Sequence, residues 1–239
     1  MIQDIANTLM FIGFDRDGTL ETPSLPMPYK LKLKIIELEK SGINIFFASG
    51  KSMIQLKEIV KDIGVRSVLL CAENGGHICD LKKNNESIVP ITKDLERFIS
   101  IIEKYKLPKH KYEYKASIWS RQFYDNVIDA KKIIDEIINK NKLNLNVFIH
   151  PDHAGGLDVV PPEIDKMKLL DFIPPNAIIH YFGDSYNDFY LMENERVIPH
   201  TMDNAKDTIK ELVNKRGGII AKESAGEGVL STLYKILGN

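Results

Sequence analysis

The stretch Phe14-Asp15-Arg16-Asp17-Gly18-Thr19 directly follows the apolar run Leu9-Met10-Phe11-Ile12. An apolar run of strand length that ends in turn residues reads as a buried strand. In open α/β sheets, ligands gather at the carboxyl ends of the strands. Asp15 and Asp17, one residue apart at such an end and next to Gly18, are placed to hold a divalent cation. Magnesium takes oxygen ligands and keeps several of its waters. Asp and Gly after a strand are also ordinary turn residues, so the pair alone leaves a plain turn open. A calcium loop is excluded, because its glycine stands at the sixth position and Gly18 is fourth counted from Asp15.

The same grammar recurs downstream. Tyr29 to Lys40 carries Leu31, Ile35, Ile36 and Leu38 at helical spacing, with Gly42 just beyond as a stop signal. Ile43 to Ala48 is a second buried strand, ending at Ser49-Gly50-Lys51-Ser52. A helix from Met53 to about Ile63 follows, closed by Gly64. Ser67 to Ala72 is a third strand, ending at Glu73-Asn74-Gly75-Gly76. Strands alternating with helices argue for a parallel sheet.

From about His77 to Leu157 the rhythm changes. A hairpin with a polar tip runs from Ile78 to Val89, and Leu95 to Tyr105 reads as a helix. Lys111 to Trp119 alternates like a half-exposed strand, Val127 to Ile138 is helical, and Leu143 to Ile149 alternates again. This is an α+β unit inserted into the first. The core pattern resumes at Leu157-Asp158-Val159-Val160. There follow a helix opened by Asp165-Lys166, a strand from Ala177 to Phe182, and Gly183-Asp184-Ser185-Tyr186-Asn187-Asp188. A short helix to Met192, an apolar Arg196-Val197-Ile198 segment, and helices from Asn204 and Gly228 complete the chain. The expected division is therefore core 1–79, inserted unit 80–156 and core 157–239.

Composition excludes several function classes. The 239 residues carry a net charge of −1, with 44% hydrophobic and 27% charged residues. That balance gives no basic footprint for nucleic acid. No apolar run approaches the ~18 residues of a membrane span. Met1-Ile2-Gln3-Asp4 lacks a basic region ahead of a cleavage site. Cys71 and Cys79 are too few for a disulfide framework. The expectation is a soluble, cytoplasmic protein with no nucleic-acid or membrane partner.

Four strand ends need one another. Ser49 and the amides of the following helix suit a phosphate oxygen, although Ser49 and Ser52 serve equally well as helix caps. Lys166 opens a helix, where a cation costs roughly 0.3–1 kcal/mol, and so is better explained if it answers an anion. Asp184 and Asp188 add two carboxylates whose burial without a cation is costly. A carboxylate attacking a phosphate monoester accounts for all four. Two like charges ~4 Å apart repel by about 4 kcal/mol at an effective dielectric of 20, which a divalent cation and a lysine offset. Asp15 is then the nucleophile, and Asp17 protonates the leaving oxygen and later deprotonates the attacking water.

Asp15-Arg16-Asp17-Gly18-Thr19, Ser49, Lys166 and Gly183-Asp184-Ser185-Tyr186-Asn187-Asp188 resemble the four motifs of the haloacid dehalogenase-like phosphatases. The resemblance spans nearly the whole chain. It implies a Rossmann-like core, Mg²⁺, and metal ligands Asp15, Asp184 and the Asp17 carbonyl, with Asp188 holding the site from nearby. Ser49, Gly50, Lys166 and Asn187 would hold the phosphoryl group. An insertion after Glu73-Asn74-Gly75-Gly76 is similar to the subclass with an α+β cap. That subclass includes sugar-phosphate, sucrose-phosphate and mannosyl-phosphoglycerate phosphatases and phosphomannomutases. Many relatives carry Thr-Gly-Arg where this chain has Ser49-Gly50-Lys51, and glycine where Met167 follows Lys166.

Candidate leaving-group contacts are Lys115, Ser117, Trp119, Arg121 and His153, with Asn74 and Gly75 from the core rim. The expected activity is Mg²⁺-dependent hydrolysis of a small phosphorylated metabolite, a sugar phosphate first. The alternatives are a phosphomutase, a phosphoacceptor switch, and a non-catalytic phosphate-ligand-binding protein. The presence of Asp17 and of an inserted unit speaks against the switch.

Overall fold

The computed structural model describes residues 9–105, 109–111, 116–119, 126–150 and 156–238. The chain forms two compact units, one of residues 1–87 and 166–239, the other of residues 88–165.

The first unit is built on strands β1 (Met10–Phe14), β2 (Asn44–Ala48), β3 (Val68–Ala72), β4 (His77–Asp80) and β5 (Asn85–Ile88). Strands β10 (Ile178–Phe182), β11 (Val197–Thr201) and β12 (Ile219–Ile220) come from its second stretch of chain. They lie in the order β12-β11-β10-β1-β2-β3-β4-β5. Every pairing from β12 to β3 is parallel, and β4 turns back antiparallel to β3.

Both faces of this sheet are covered, which explains its continuous apolar strands. On one face Ile12, Phe14, Ile45, Phe47, Leu70 and Phe182 pack with helices α1 (Tyr29–Lys40), α2 (Met53–Ile63) and α7 (Ala225–Leu237). The other face presents Phe11, Phe46, Leu69, Cys71 and Tyr181. These pack with α5 (Phe189–Glu193), α6 (Asp207–Lys215) and a 3₁₀ run over Lys166–Phe172. Gly13 sits in β1 because a Cβ there would lie 1.9 Å from the Phe46 ring. Helix α2 begins at Ser52, whose side chain accepts from the Gln55 amide, and ends at Gly64 in the left-handed conformation. Ser52 is thus the helix cap, and Ser49 is left at the strand end.

The second unit contains a four-stranded antiparallel sheet in the order β6-β7-β9-β8. Its strands are β6 (Lys109–Lys111), β7 (Ala116–Trp119), β8 (Asn146–His150) and β9 (Gly156–Val160). Leu157 and Val159 pack with Leu95, Phe98, Ala130 and Ile134 from helices α3 (Lys93–Lys104) and α4 (Val127–Lys140). Two boundaries differ from the sequence expectation of 80–156. The hairpin of β4 and β5 extends the large sheet, so the second unit begins at Ile88. Leu157–Val160 pairs with β7 and β8 and does not resume the core, which returns at Lys166. Among the described residues no helix is long and apolar enough to cross a membrane.

Strands β10 and β11 carry a buried histidine pair. His180 Nδ1 and His200 Nε2 lie 2.9 Å apart, and His200 Nδ1 accepts from the Ile219 amide at 3.2 Å. His200 therefore carries its proton on Nε2 and donates it to His180. Burial, with the neighbouring His180, pushes His200 down to about 3, and burial lowers His180 as well. The unfolded chain binds a proton on each below pH 6.5, whereas folded His200 does not until about pH 3. This contribution to stability is complete above pH 6.5 and is lost as pH falls through that window. The stability advantage of wild type over His200→Gln should shrink by about 3 kcal/mol between pH 7 and pH 4 in urea unfolding. A pH-independent difference between the two proteins would contradict this.

Candidate active site

Parallel pairing in register brings the chemistry together. Phe14 lies opposite Phe182 on one side and Phe47 on the other. The residues that follow these three strands, Asp15, Gly183-Asp184 and Ser49, therefore emerge at one edge of the sheet. The Asp15 amide donates to the Phe182 carbonyl at 2.9 Å, and the Ser49 amide to the Cys71 carbonyl at 2.9 Å.

Lys166 lies at the centre of the charges. It opens the 3₁₀ run, not an α-helix, and is 1% exposed. Its Nζ donates to Asp15 Oδ1 at 2.8 Å and to Asp188 Oδ1 at 2.7 Å. Asp188 also accepts from Tyr181 Oη at 2.6 Å and, on Oδ2, from the amides of Asp184 at 3.1 Å and Ser185 at 3.2 Å. Asp184 Oδ1 accepts from Thr19 Oγ1 at 3.2 Å. Gly18 has φ +89°, and a Cβ on it would lie 2.2 Å from Asp184 Oδ2. Only glycine allows the first loop to approach that carboxylate so closely. Asn204 ties the loop down, donating to the Gly18 carbonyl at 2.7 Å while accepting from the Ala225 amide.

One carboxylate oxygen from each of Asp15, Asp184 and Asp188 lies within 4.8 Å of one from each of the others. Three buried carboxylates thus face one ammonium. Burial raises Asp15 to about 7 against the opposing pull of Lys166, and Asp188 and Asp17 add to the rise. Burial, then Asp15 and Asp188, raise Asp184 well above the usual carboxylate range. Burial works against a charged Lys166, yet the two carboxylates outweigh it and hold the lysine above its ordinary value. Burial also raises Tyr181 well above the usual phenol range, so it remains a donor. Among the described residues no hydrogen bond falls on Oδ2 of Asp15 or of Asp184. Surplus buried negative charge with open, hard oxygen donors fits a divalent cation of the magnesium type.

The sequence model of the haloacid dehalogenase-like hydrolases matches residues 12–116 and 91–233. The chain belongs to that family. The 5-amino-6-(5-phospho-D-ribitylamino)uracil phosphatase YcsE of Bacillus subtilis (strain 168) is 23% identical over 225 residues, covering 85% of this chain and 87% of that one. The phosphomannomutase of Nicotiana benthamiana is 28% identical over 92 residues, 37% of this chain and 36% of that one. A haloacid dehalogenase-like hydrolase from Bacteroides thetaiotaomicron has the same fold, with a TM-score of 0.78. It shows 16% identity over 96% of this chain and 100% of that one.

In this haloacid dehalogenase-like hydrolase the core residues singled out from the sequence converge. Asp17 is half-buried, with Oδ1 2.6 Å from Arg16 Nη1 and Oδ2 3.1 Å from Lys51 Nζ. Arg16 pairs with Glu21 as well. Ser49 is buried, and its Oγ accepts from the Lys51 amide at 3.2 Å, across Gly50. Asn74 reaches this group in two ways: its amide donates to the Ser49 carbonyl at 3.1 Å, and its Oδ1 accepts from Asn187 Nδ2 at 3.2 Å. Asn74 and Gly75 hold φ of 57° and 105° in a tight turn, conformations that Asn and Gly tolerate.

The second-unit candidates are different. Lys115, Arg121 and His153 lie outside the described residues. Ser117 and Trp119 sit on β7, opposite Asp158 and Gly156 of β9. Tyr181, Thr19, Asn204 and the pairing of Arg16 and Lys51 with Asp17 were not singled out from the sequence. A tyrosine inside the buried Ile178–Phe182 strand was the available signal, since a buried hydroxyl needs a partner.

Proposed function

We propose that the protein is a Mg²⁺-dependent phosphatase acting on a small phosphorylated metabolite, a sugar phosphate being the first candidate. The observation that carries this reading is the set of three buried carboxylates around the single ammonium of Lys166 at the strand ends. Asp15, Asp184 and the Asp17 carbonyl would hold the cation, which offsets repulsion between the anionic nucleophile and the phosphate.

Asp15 attacks phosphorus, the ester P–O bond breaks, and its electron pair leaves with the departing oxygen. Asp17 gives that oxygen a proton. Arg16 and Lys51 pair with the two oxygens of Asp17 and hold the side chain in place. Water then attacks the aspartyl phosphate while Asp17 takes its proton, releasing phosphate and restoring Asp15. Lys166, Ser49, Gly50 and Asn187 would hold the phosphoryl oxygens. The phosphorylated ribityl group in the name of the B. subtilis relative supports a sugar-like substrate. A phosphomutase would use the same carboxylates. The match to the plant phosphomannomutase spans only 36% of that protein, which favours hydrolysis.

The test is a panel of sugar phosphates, phosphoglycerates and nucleotides incubated with Mg²⁺, measuring free phosphate and isomerised product. Release of phosphate from a sugar phosphate supports the reading. Isomerisation without release would replace it with a mutase, and no turnover by a folded, metal-loaded protein would leave a binding protein.

The cation should also be visible in stability. Mg²⁺ at a hundredfold excess over its dissociation constant should add about 2.7 kcal/mol. The carboxyl of Asp15, pushed up to about 7, must lose its proton to bind a cation. The gain in Tm should therefore be larger at pH 8 than at pH 5.5. Equal gains at both pH values would contradict the assignment of Asp15 as a ligand.

A further inference from the structure

Tyr181 has 0% exposure, and its ring stacks on Phe46 with centroids 5.7 Å apart and planes 3° from parallel. Its hydroxyl points into the carboxylate cluster and donates to Asp188 Oδ1, the oxygen that also receives Lys166. With two backbone amides on Oδ2, Asp188 takes four donors. A carboxylate has about four acceptor sites, so Asp188 is filled. Asp15 and Asp184 are not filled, having a single side-chain donor each.

We infer that Tyr181 is a positioning residue: by occupying Asp188 Oδ1 beside Lys166, it keeps Asp188 out of the cation's coordination shell and keeps Lys166 shared with Asp15. The phenol spends one lone pair of the carboxylate that would otherwise compete for the metal. It also limits how strongly Asp188 draws the ammonium away from the nucleophile. Phenylalanine preserves the stacked ring and removes this donor, together with the long 3.5 Å contact in which the hydroxyl accepts from Lys166 Nζ. One acceptor site of Asp188 then opens within a cluster whose oxygens already lie within 4.8 Å of one another. The cation gains a ligand, while Lys166 is drawn towards Asp188. The variant should hold Mg²⁺ more tightly and transfer phosphate more slowly. A site merely loosened by the substitution would instead bind the cation more weakly.

The experiment is a calorimetric titration of Mg²⁺ into the full chain as wild type, Tyr181→Phe, Asp188→Asn and the double variant. Tyr181→Phe should tighten Mg²⁺ binding by about 3- to 10-fold. In the Asp188→Asn background the same substitution should leave affinity unchanged, since the tyrosine acts through that carboxylate. Weaker or unchanged binding by Tyr181→Phe, or an equal shift in both backgrounds, would overturn the inference. Should Asp188→Asn not fold, the direction of the Tyr181→Phe shift decides alone. The activity arm rests on the phosphatase reading: kcat should fall about 10-fold with KM within about twofold. The titration needs no substrate, so tighter binding without turnover would sink the phosphatase reading and leave this inference standing. Failure of wild type to bind Mg²⁺ would overturn both.

Discussion

Asp15→Asn is expected to fold normally and to release phosphate at least about 10³-fold more slowly than wild type, because a neutral amide is not a nucleophile towards phosphorus. The substitution is close to isosteric, and an amide oxygen still accepts the Lys166 hydrogen bond that Asp15 Oδ1 accepts at 2.8 Å. It also removes one negative charge from a buried cluster that carries too many. In the absence of metal the variant should therefore be as stable as wild type or more so. The paired measurement is phosphate release and thermal unfolding on the same preparation. Loss of activity with loss of folding would say nothing of the nucleophile. Full activity in a folded variant would remove Asp15 from the chemistry.

Lys166→Met is expected to have the largest effect on stability. The side chain is buried between Asp15 and Asp188, and no other lysine or arginine among the described residues pairs with either. Removing one partner of a buried ion pair costs ~3–5 kcal/mol, because the remaining charge is left uncompensated. In a chain of this size that corresponds to a fall in Tm of about 10 °C. The carboxylates can relieve part of the strain by taking up protons. Asp15 is already raised to about 7 by burial, and losing the lysine raises it further. A carboxyl raised in the folded state destabilises most when pH exceeds its folded value, so the deficit should be greater at pH 8 than at pH 5. Added Mg²⁺ should restore some of it. An unchanged Tm at pH 8 would mean that the pair carries little energy.

Much of this architecture was legible from local pattern. The runs before Asp15, Ser49 and Gly183 are apolar on both faces because helices cover both faces of the sheet, and each ends in residues that cannot continue a strand. Three of the four motif groups converge because the parallel strands β1, β2 and β10 end at one edge of the sheet, and the 3₁₀ run opened by Lys166 brings in the fourth. Other features depend on pairings far apart in sequence. Leu157–Val160 resembles a core strand, yet its partners Ala116–Trp119 and Asn146–His150 place it in the second unit's sheet. The hairpin of β4 and β5 looked like the start of that unit, and its antiparallel pairing with β3 makes it the edge of the first. Lys111 to Trp119 alternates as one strand would, yet Lys109–Lys111 pairs antiparallel with Ala116–Ile118, which makes them two strands of the sheet. Tyr181 was hidden because a strand residue's partner is set by tertiary packing. Asp188 lies seven positions onward in the chain yet 2.6 Å away.

The central claim is that phosphate passes through Asp15. Acid quenching of a reaction in progress, followed by mass spectrometric mapping of the peptides, tests it most directly. The account predicts a hydroxylamine-sensitive phosphoryl group on Asp15, absent from Asp15→Asn. Steady turnover with the phosphoryl group on another residue would contradict it, as would phosphate release that persists when Asp15 is replaced.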